Sequence, residues 1–226
     1  MMNTGNDLTG GRILTVPVGQ RHDGTADSGA KVNLASGGRF DMWYQAGDGI
    51  TTGTITIEWL ELDGGDSDQD YAQSGAWCTM FMSGGGNATY VGTVSHMLIH
   101  GAHNGTNYNG AVIKPSSNFS TMHNNIVYDC SGRYQSAAFG QAGKGIICNN
   151  TAYKMGVTTS SSAGAGSREA IGVSCSTDTT VVKNNIAMGG YVLHSASNGT
   201  VNDFYGTEIG TYNLSGDSTA TGSNSI

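Results

Sequence analysis

Charge is scarce in this chain and positive charge scarcest, with 10 Lys and Arg against 17 Asp and Glu in 226 residues and a formal net charge of −7. Proteins that bind phosphate backbones do so through basic stripes, and these few cations, spread along the chain, make none; nucleic acid is excluded as a partner. A neutral or cationic partner fits the balance. No run approaches the ~20 apolar residues of a membrane-spanning helix. The opening Met1-Met2-Asn3-Thr4-Gly5-Asn6-Asp7 lacks the basic and apolar regions of a secretory signal. The expectation is a chain that stays in the cell or leaves without a signal, as by lysis. Cys78, Cys130, Cys148 and Cys175 contain no CxxC pair and no zinc spacing. They read as reduced thiols packed as small apolar side chains, a disulfide between neighbouring repeats being the competing reading. Nor does any stretch hold apolar residues at i, i+3, i+4 and i+7 long enough for an amphipathic helix.

What is there instead is glycine, 36 residues of it, with Asn, Ser and Thr crowding the connecting segments. These types serve helices poorly, so an all-β chain is expected. Internal repetition then decides the architecture. Three segments align without gaps: His123-Asn124-Asn125-Ile126-Val127-Tyr128-Asp129-Cys130, Cys148-Asn149-Asn150-Thr151-Ala152-Tyr153-Lys154-Met155 and Lys183-Asn184-Asn185-Ile186-Ala187-Met188-Gly189-Gly190. Weaker copies lie at Glu58–Asp63 and Ser95–Gly101, and Tyr212-Asn213-Leu214-Ser215-Gly216-Asp217 closes the series. The paired asparagines are 25 and then 35 residues apart, so inserts vary while the strand unit does not, which is the signature of a solenoid.

Stacked parallel strands repeat about every 4.8 Å and put equivalent side chains in columns. One inward column is expected from Leu60, Leu98, Ile126, Thr151 and Ile186, and the next from Leu62, His100, Tyr128, Tyr153 and Met188. The position between them, Glu61, Ile99, Val127, Ala152 and Ala187, would then face outward. Asparagine tolerates the left-handed bend and hydrogen-bonds to its copy in the next turn, so an asparagine ladder is expected.

The units NNIVYDC, NNTAYKM and NNIAMGG resemble those of right-handed parallel β-helix repeat proteins, a superfamily that includes pectate-lyase-like enzymes and bacteriophage tail spikes. The resemblance implies an all-β, right-handed, single-stranded parallel β-helix with coils over residues 54–226. Residues 1–53 would form an N-terminal cap or the first coils. It also implies a virion or extracellular setting.

Enzymes of that superfamily use carboxylate pairs for glycoside hydrolysis, or a base with a neutralising cation for β-elimination of uronic acids. On that resemblance the catalytic candidates are Glu61, Asp63, Asp129 and Lys154. Glu61 is expected to project outward, Asp63 and Asp129 to share a register position, and Lys154 to follow Asp129 one coil later. The plainer reading is a surface ladder in which Asp129 and Lys154 neutralise each other. Asp66, Asp68 and Asp70 alternate after a Gly turn and could converge on calcium, although a solvated acidic loop is the plainer reading. Tyr71, Tyr90, Tyr108 and Tyr134 fall in or beside Gly/Ser/Asn loops, where exposed rings suit sugar stacking, and Arg133 could bind an acidic sugar. His96, His100 and His103 cluster without a carboxylate at fixed spacing, so His100 reads as a hydrogen-bonded core residue.

Two functions follow: a structural and carbohydrate-recognition module of the tail-spike or virion-appendage kind, or a polysaccharide lyase or glycosidase. The apolar strip at Ile99, Val127, Ala152 and Ala187, if outward, needs cover, and the resemblance to tail spikes makes a homotrimer the favoured assembly.

Overall fold

The computed structural model describes residues 11–34, 40–45, 52–65, 68–69, 78–85, 89–104, 110–116, 119–132, 136–141, 144–157, 169–175, 180–192, 201–205, 209–220 and 223–226. These residues form an all-β structure in which every strand pairing is parallel, and their only helical element is the short 3-10 turn Val18–Gln20. No helix among them is long and apolar enough to cross a membrane.

The main strands fall into three sheets that the chain visits in rotation. The first sheet stacks Arg12–Thr15, Thr52–Glu58, Thr89–Ser95, Phe119–His123, Lys144–Cys148, Thr180–Lys183 and Ile209–Thr211. The second stacks Lys31–Asn33, Glu61–Asp63, Leu98–His100, Ile126–Gly132, Thr151–Val157, Ile186–Met188 and Leu214–Ser215. The third stacks Phe40–Gln45, Cys78–Gly85, Gly110–Ser116, Ser136–Gln141, Glu169–Cys175 and Val201–Tyr205. One core runs between them. Ile57, Val94, Met122, Ile147 and Val182 line up from the first sheet, and Ile113, Phe139, Val173 and Phe204 from the third.

From Thr52–Glu58 onward each passage from the first sheet to the second uses the same two-residue corner, and where that corner is a pair of asparagines the two divide the work. The first adopts the left-handed conformation, with φ of 56°, 56° and 54° at Asn124, Asn149 and Asn184, and is exposed. Trp59, His96 and Tyr212 hold the equivalent corners at 64°, 52° and 55°. The second asparagine is buried. The Asn125 amide nitrogen donates to Asn150 Oδ1 at 3.0 Å, Asn150 to Asn185 at 3.0 Å and Asn185 to Asn213 at 3.1 Å. Each Nδ2 also reaches a carbonyl of the first sheet (Val94, Met122, Ile147 and Val182), and each Oδ1 takes a backbone N–H as well. The amides are thereby satisfied inside an apolar core, the condition under which burying them costs little. Ser225 Oγ accepts the Asn213 backbone N–H and caps the ladder.

The buried asparagine points inward, so strand positions one and three after it point outward and position two inward. This reverses the expected columns from Leu98 onward, while Leu60 and Leu62 are buried as expected. Leu62, Ile99, Val127, Ala152 and Ala187 are register partners and are at most 2% exposed. Leu98, Ile126, Thr151 and Ile186 face outward with Glu61, and His100, Tyr128, Tyr153 and Met188 face outward with Asp63. Leu60 is also displaced by one position, since Glu61 and not Leu60 pairs with Leu98. The apolar strip Ile99, Val127, Ala152 and Ala187 is core, so it gives a homotrimer no seam. Cys130 and Cys148 are free thiols, and burial pushes Cys148 above its ordinary value.

Candidate functional site

Because Glu61 and Asp63 are positions one and three of their strand, both carboxylates start from the outer face of the second sheet. The next rung brings His100 beside Asp63. His100 Nε2 donates to Glu61 Oε1 at 2.9 Å, and its Nδ1 lies 3.8 Å from Asp63 Oδ1. The next rung adds Tyr128, whose ring stacks on the imidazole with centroids 5.1 Å apart and planes 17° apart. Lys31, one rung before Glu61, donates to Asp63 Oδ2 at 3.0 Å and to Asp27. These two hydrogen bonds, Asp27 first, raise the Lys31 pKa. Burial pushes Asp63 upward, but the hydrogen bonds from Lys31 and the Gly65 N–H and the nearby His100 and Lys31 charges outweigh it and hold the carboxyl below its usual range. Burial, then the Glu61 charge, raises Tyr128.

The chain before the second sheet covers one end of this face. Residues 21–30 lie across the outer side as a strap, fixed at both ends. His22 Nε2 donates to the His96 carbonyl at 2.7 Å while Nδ1 accepts the Gly24 N–H at 3.3 Å, which sets the tautomer. Arg21 lies over the Trp59 ring, 4.7 Å from its centroid, and Trp59 stacks on His96 at 4.1 Å. At the other end the Asp27 N–H is shared between both Glu61 carboxylate oxygens, at 3.1 and 3.0 Å. Ala30 N–H closes the strap onto the Gln20 carbonyl at 2.8 Å. Gly29 is required there, since a Cβ would stand 2.3 Å from the His22 nitrogen. Glu61 and Leu98 are consequently 0% exposed although they face away from the core.

Past the strap the outer face opens. A Cβ on Gly24 would still lie 3.5 Å from Ile126 Cδ1, but one rung on Tyr153 is 48% exposed, followed by Ile186 at 39% and Met188 at 44%. The result is a floor of apolar and aromatic side chains, walled at one end by the strap and the charged cluster.

Of the catalytic candidates, the structure brings together Glu61 and Asp63 but not Asp129 and Lys154. Asp63 is in register with His100 and Tyr128, so it does not share a position with Asp129. Asp129 and Lys154 sit in successive rungs, one residue beyond the register partners Tyr128 and Tyr153, both with φ of 50°. No ion pair within 4 Å joins them; Lys154 Nζ instead lies 5.9 Å from the Tyr153 ring centroid. Tyr71, Tyr108, Tyr134, Arg133, Asp66 and Asp70 lie outside the described residues. Tyr90 pairs through its backbone with Gly53, and Asp68 through its backbone with His103. His100, expected in the core, belongs to the site, as do Lys31 and Asp27, which carried no repeat signal. Among the described residues no three His, Cys, Asp or Glu side chains form a group that could hold a metal ion. Comparison with family models, curated proteins and solved structures found no match to this chain.

Proposed function

We propose that the chain is a right-handed parallel β-helix that binds carbohydrate on the open outer face of its second sheet, as part of a virion appendage or another extracellular structure. The carrying observation is that face: Tyr153, Ile186 and Met188 stand exposed on neighbouring rungs of a parallel sheet beside Lys154, with the polar cluster of Lys31, Asp63 and His100 two to four rungs away. Contiguous exposed apolar surface rimmed by polar groups marks a binding site, and sugars offer the matching combination of apolar faces and hydroxyl rims. The rotation of the chain through three parallel sheets and the asparagine ladder support the β-helix reading.

Binding without cleavage is favoured over lyase or glycosidase activity by the state of the two carboxylates. Acid–base catalysis needs carboxyl groups that reach the glycosidic bond, and Glu61 is sealed beneath the strap while Asp63 is neutralised by Lys31. A glycan array followed by a product assay on each hit tests this. The expectation is retention without new reducing or unsaturated ends, lost in Tyr153→Ala. A hit that is cut would replace binding with catalysis, and no hit at all would end the carbohydrate reading.

A further inference from the structure

We infer that the outer face of the first sheet is where two copies of this chain meet, stacked antiparallel about a two-fold axis along the strand Phe119–His123; this stands apart from the carbohydrate reading. One residue before each of the buried Ile57, Val94, Met122, Ile147 and Val182 the side chain points away from the core. Register sets these residues, Thr56, Thr93, Thr121, Ile146 and Val181, in one outward column, with Ile13 ahead of them. The column is β-branched at every one of these rungs and carries no charge. Ile13 is 68% exposed and Val91, in the neighbouring column, 41%. The strap lies over the second sheet. Connections from the third sheet into the first hold only two to six residues, and each way out from Glu58 onward is the two-residue corner, so the long inserts belong to other edges.

The charges of this face select a second copy as its occupant. One residue after the buried row, the outward column runs Glu58, Ser95, His123, Cys148 and Lys183, with the acid near one end and the lysine near the other. Glu58 Oε1 accepts the Thr15 hydroxyl at 2.8 Å, and Lys183 is exposed. The middle rung of the seven-stranded sheet is Phe119–His123. A half-turn about that strand keeps each column and reverses the rungs, so Glu58 of each copy comes opposite the partner's Lys183. Thr56 then meets Val181, Thr93 meets Ile146, and Thr121 meets its own copy. Short threonines thereby face longer aliphatic side chains, which lets the two faces interdigitate as stacked sheets do. A two-fold along the helix axis would set Glu58 against Thr54 instead. The exposed corner residues Asn124, Asn149 and Asn184 give the apolar strip a polar rim. Six spacings of about 4.8 Å make the face about 29 Å long. Three side chains wide, it would bury on the order of 1,000 Å² over two copies, the lower bound for specific association, which points to a reversible dimer.

Sedimentation velocity of the full chain tests this. The parent should dimerise with a Kd on the order of micromolar. Thr121→Arg sets two guanidinium groups face to face and should run as a monomer, with the thermal midpoint of the dilute parent. Glu58→Lys brings like charges together at both ends and should weaken the dimer at least about tenfold, and adding Lys183→Glu should restore the parent's Kd. A parent that stays monomeric at about 100 μM, far above the Kd expected of such an interface, gives the face to residues 1–10 or to no partner and overturns the inference. A dimer that survives Thr121→Arg, or a double variant no tighter than Glu58→Lys alone, overturns it equally.

Discussion

Replacing Asn150 by leucine, a side chain of similar size, isolates what the ladder contributes. The change removes an acceptor used by two buried donors, the Asn125 backbone N–H and one Asn125 amide hydrogen, and a donor used by the Met122 carbonyl. Asn185 Oδ1 keeps the backbone N–H of residue 150. Each buried donor left without a partner costs about 1–3 kcal/mol, so the variant should lose roughly 2–6 kcal/mol. That is a large share of the ~5–15 kcal/mol that holds a typical domain folded. Urea unfolding followed by circular dichroism reads it directly: with a slope of about 2 kcal/mol/M, the midpoint falls by roughly 1–3 M at unchanged slope. The control is Asn149→Gly, one residue earlier, where the exposed corner at φ 56° suits glycine and the cost should stay within about 0.5 kcal/mol. Removing the Asn125 side chain as well should add less than its own single cost, because its stranded amide hydrogen goes with it while the backbone N–H stays. Equal midpoints for Asn150→Leu and Asn149→Gly would refute the division of labour between the two asparagines.

Other expectations follow from the corrected facing of the strands and from the strap. Val127→Lys puts an ammonium into a position that is 0% exposed, so it should abolish folded protein in a circular dichroism spectrum rather than yield smaller folded particles; a folded variant would mean that the strand faces outward. Glu61→Ala frees the Asp27 N–H and one side of His100; it should cost roughly 2–3 kcal/mol and speed proteolytic cutting within residues 21–30, and an unchanged cutting rate would show that Glu61 does not hold the strap. Burial, followed by the nearby Asp217 charge, raises the pKa of Asp203. With the folded value above the unfolded one, the stability its protonated form gives is complete below the unfolded value near 3.8 and lost as pH rises through the raised folded value. Asp203→Asn should therefore melt higher than the parent at pH 7 and show a smaller gap at pH 3.5; a variant that melts lower at pH 7 would mean that the carboxylate's bonds to Gly216 and Ser215 outweigh its burial.

The stacking was legible because a buried amide is satisfied best by a copy of itself, which forces Asn125, Asn150 and Asn185 into one column whatever the insert length. Which way the strands face was not legible from apolarity, since Ile126 and Val127 both qualify, as do Ile186 and Ala187. The deciding sign was present in a different residue: once Asn125 is taken as inward, Val127 is inward and Tyr128 outward. The first rungs mark the register less clearly still, because Leu60 and Met97 occupy the ladder position without an asparagine, and it is Glu61 that pairs with Leu98. The site itself depends on that register. Glu61 meets His100 across 39 residues, and the strap that seals it contains no repeat unit, so neither contact leaves a pattern in the chain. Asp63 was an outer-face acid by its alternation with Leu62, but its rung partner His100 was not legible, and its neutralisation by Lys31 depends on a strand pairing that the sequence does not announce.

The central claim, that the open outer face of the second sheet is where ligand sits, is tested most directly by methyl and aromatic proton shifts during titration with a bound neutral oligosaccharide. The account predicts that the Met188 and Ile186 methyls and the Tyr153 ring shift together with one affinity, while the Val127 and Ile99 methyls on the inner side of the same strands stay fixed. Shifts confined to residues away from Tyr153, Ile186 and Met188, with these three unmoved at saturation, would contradict it.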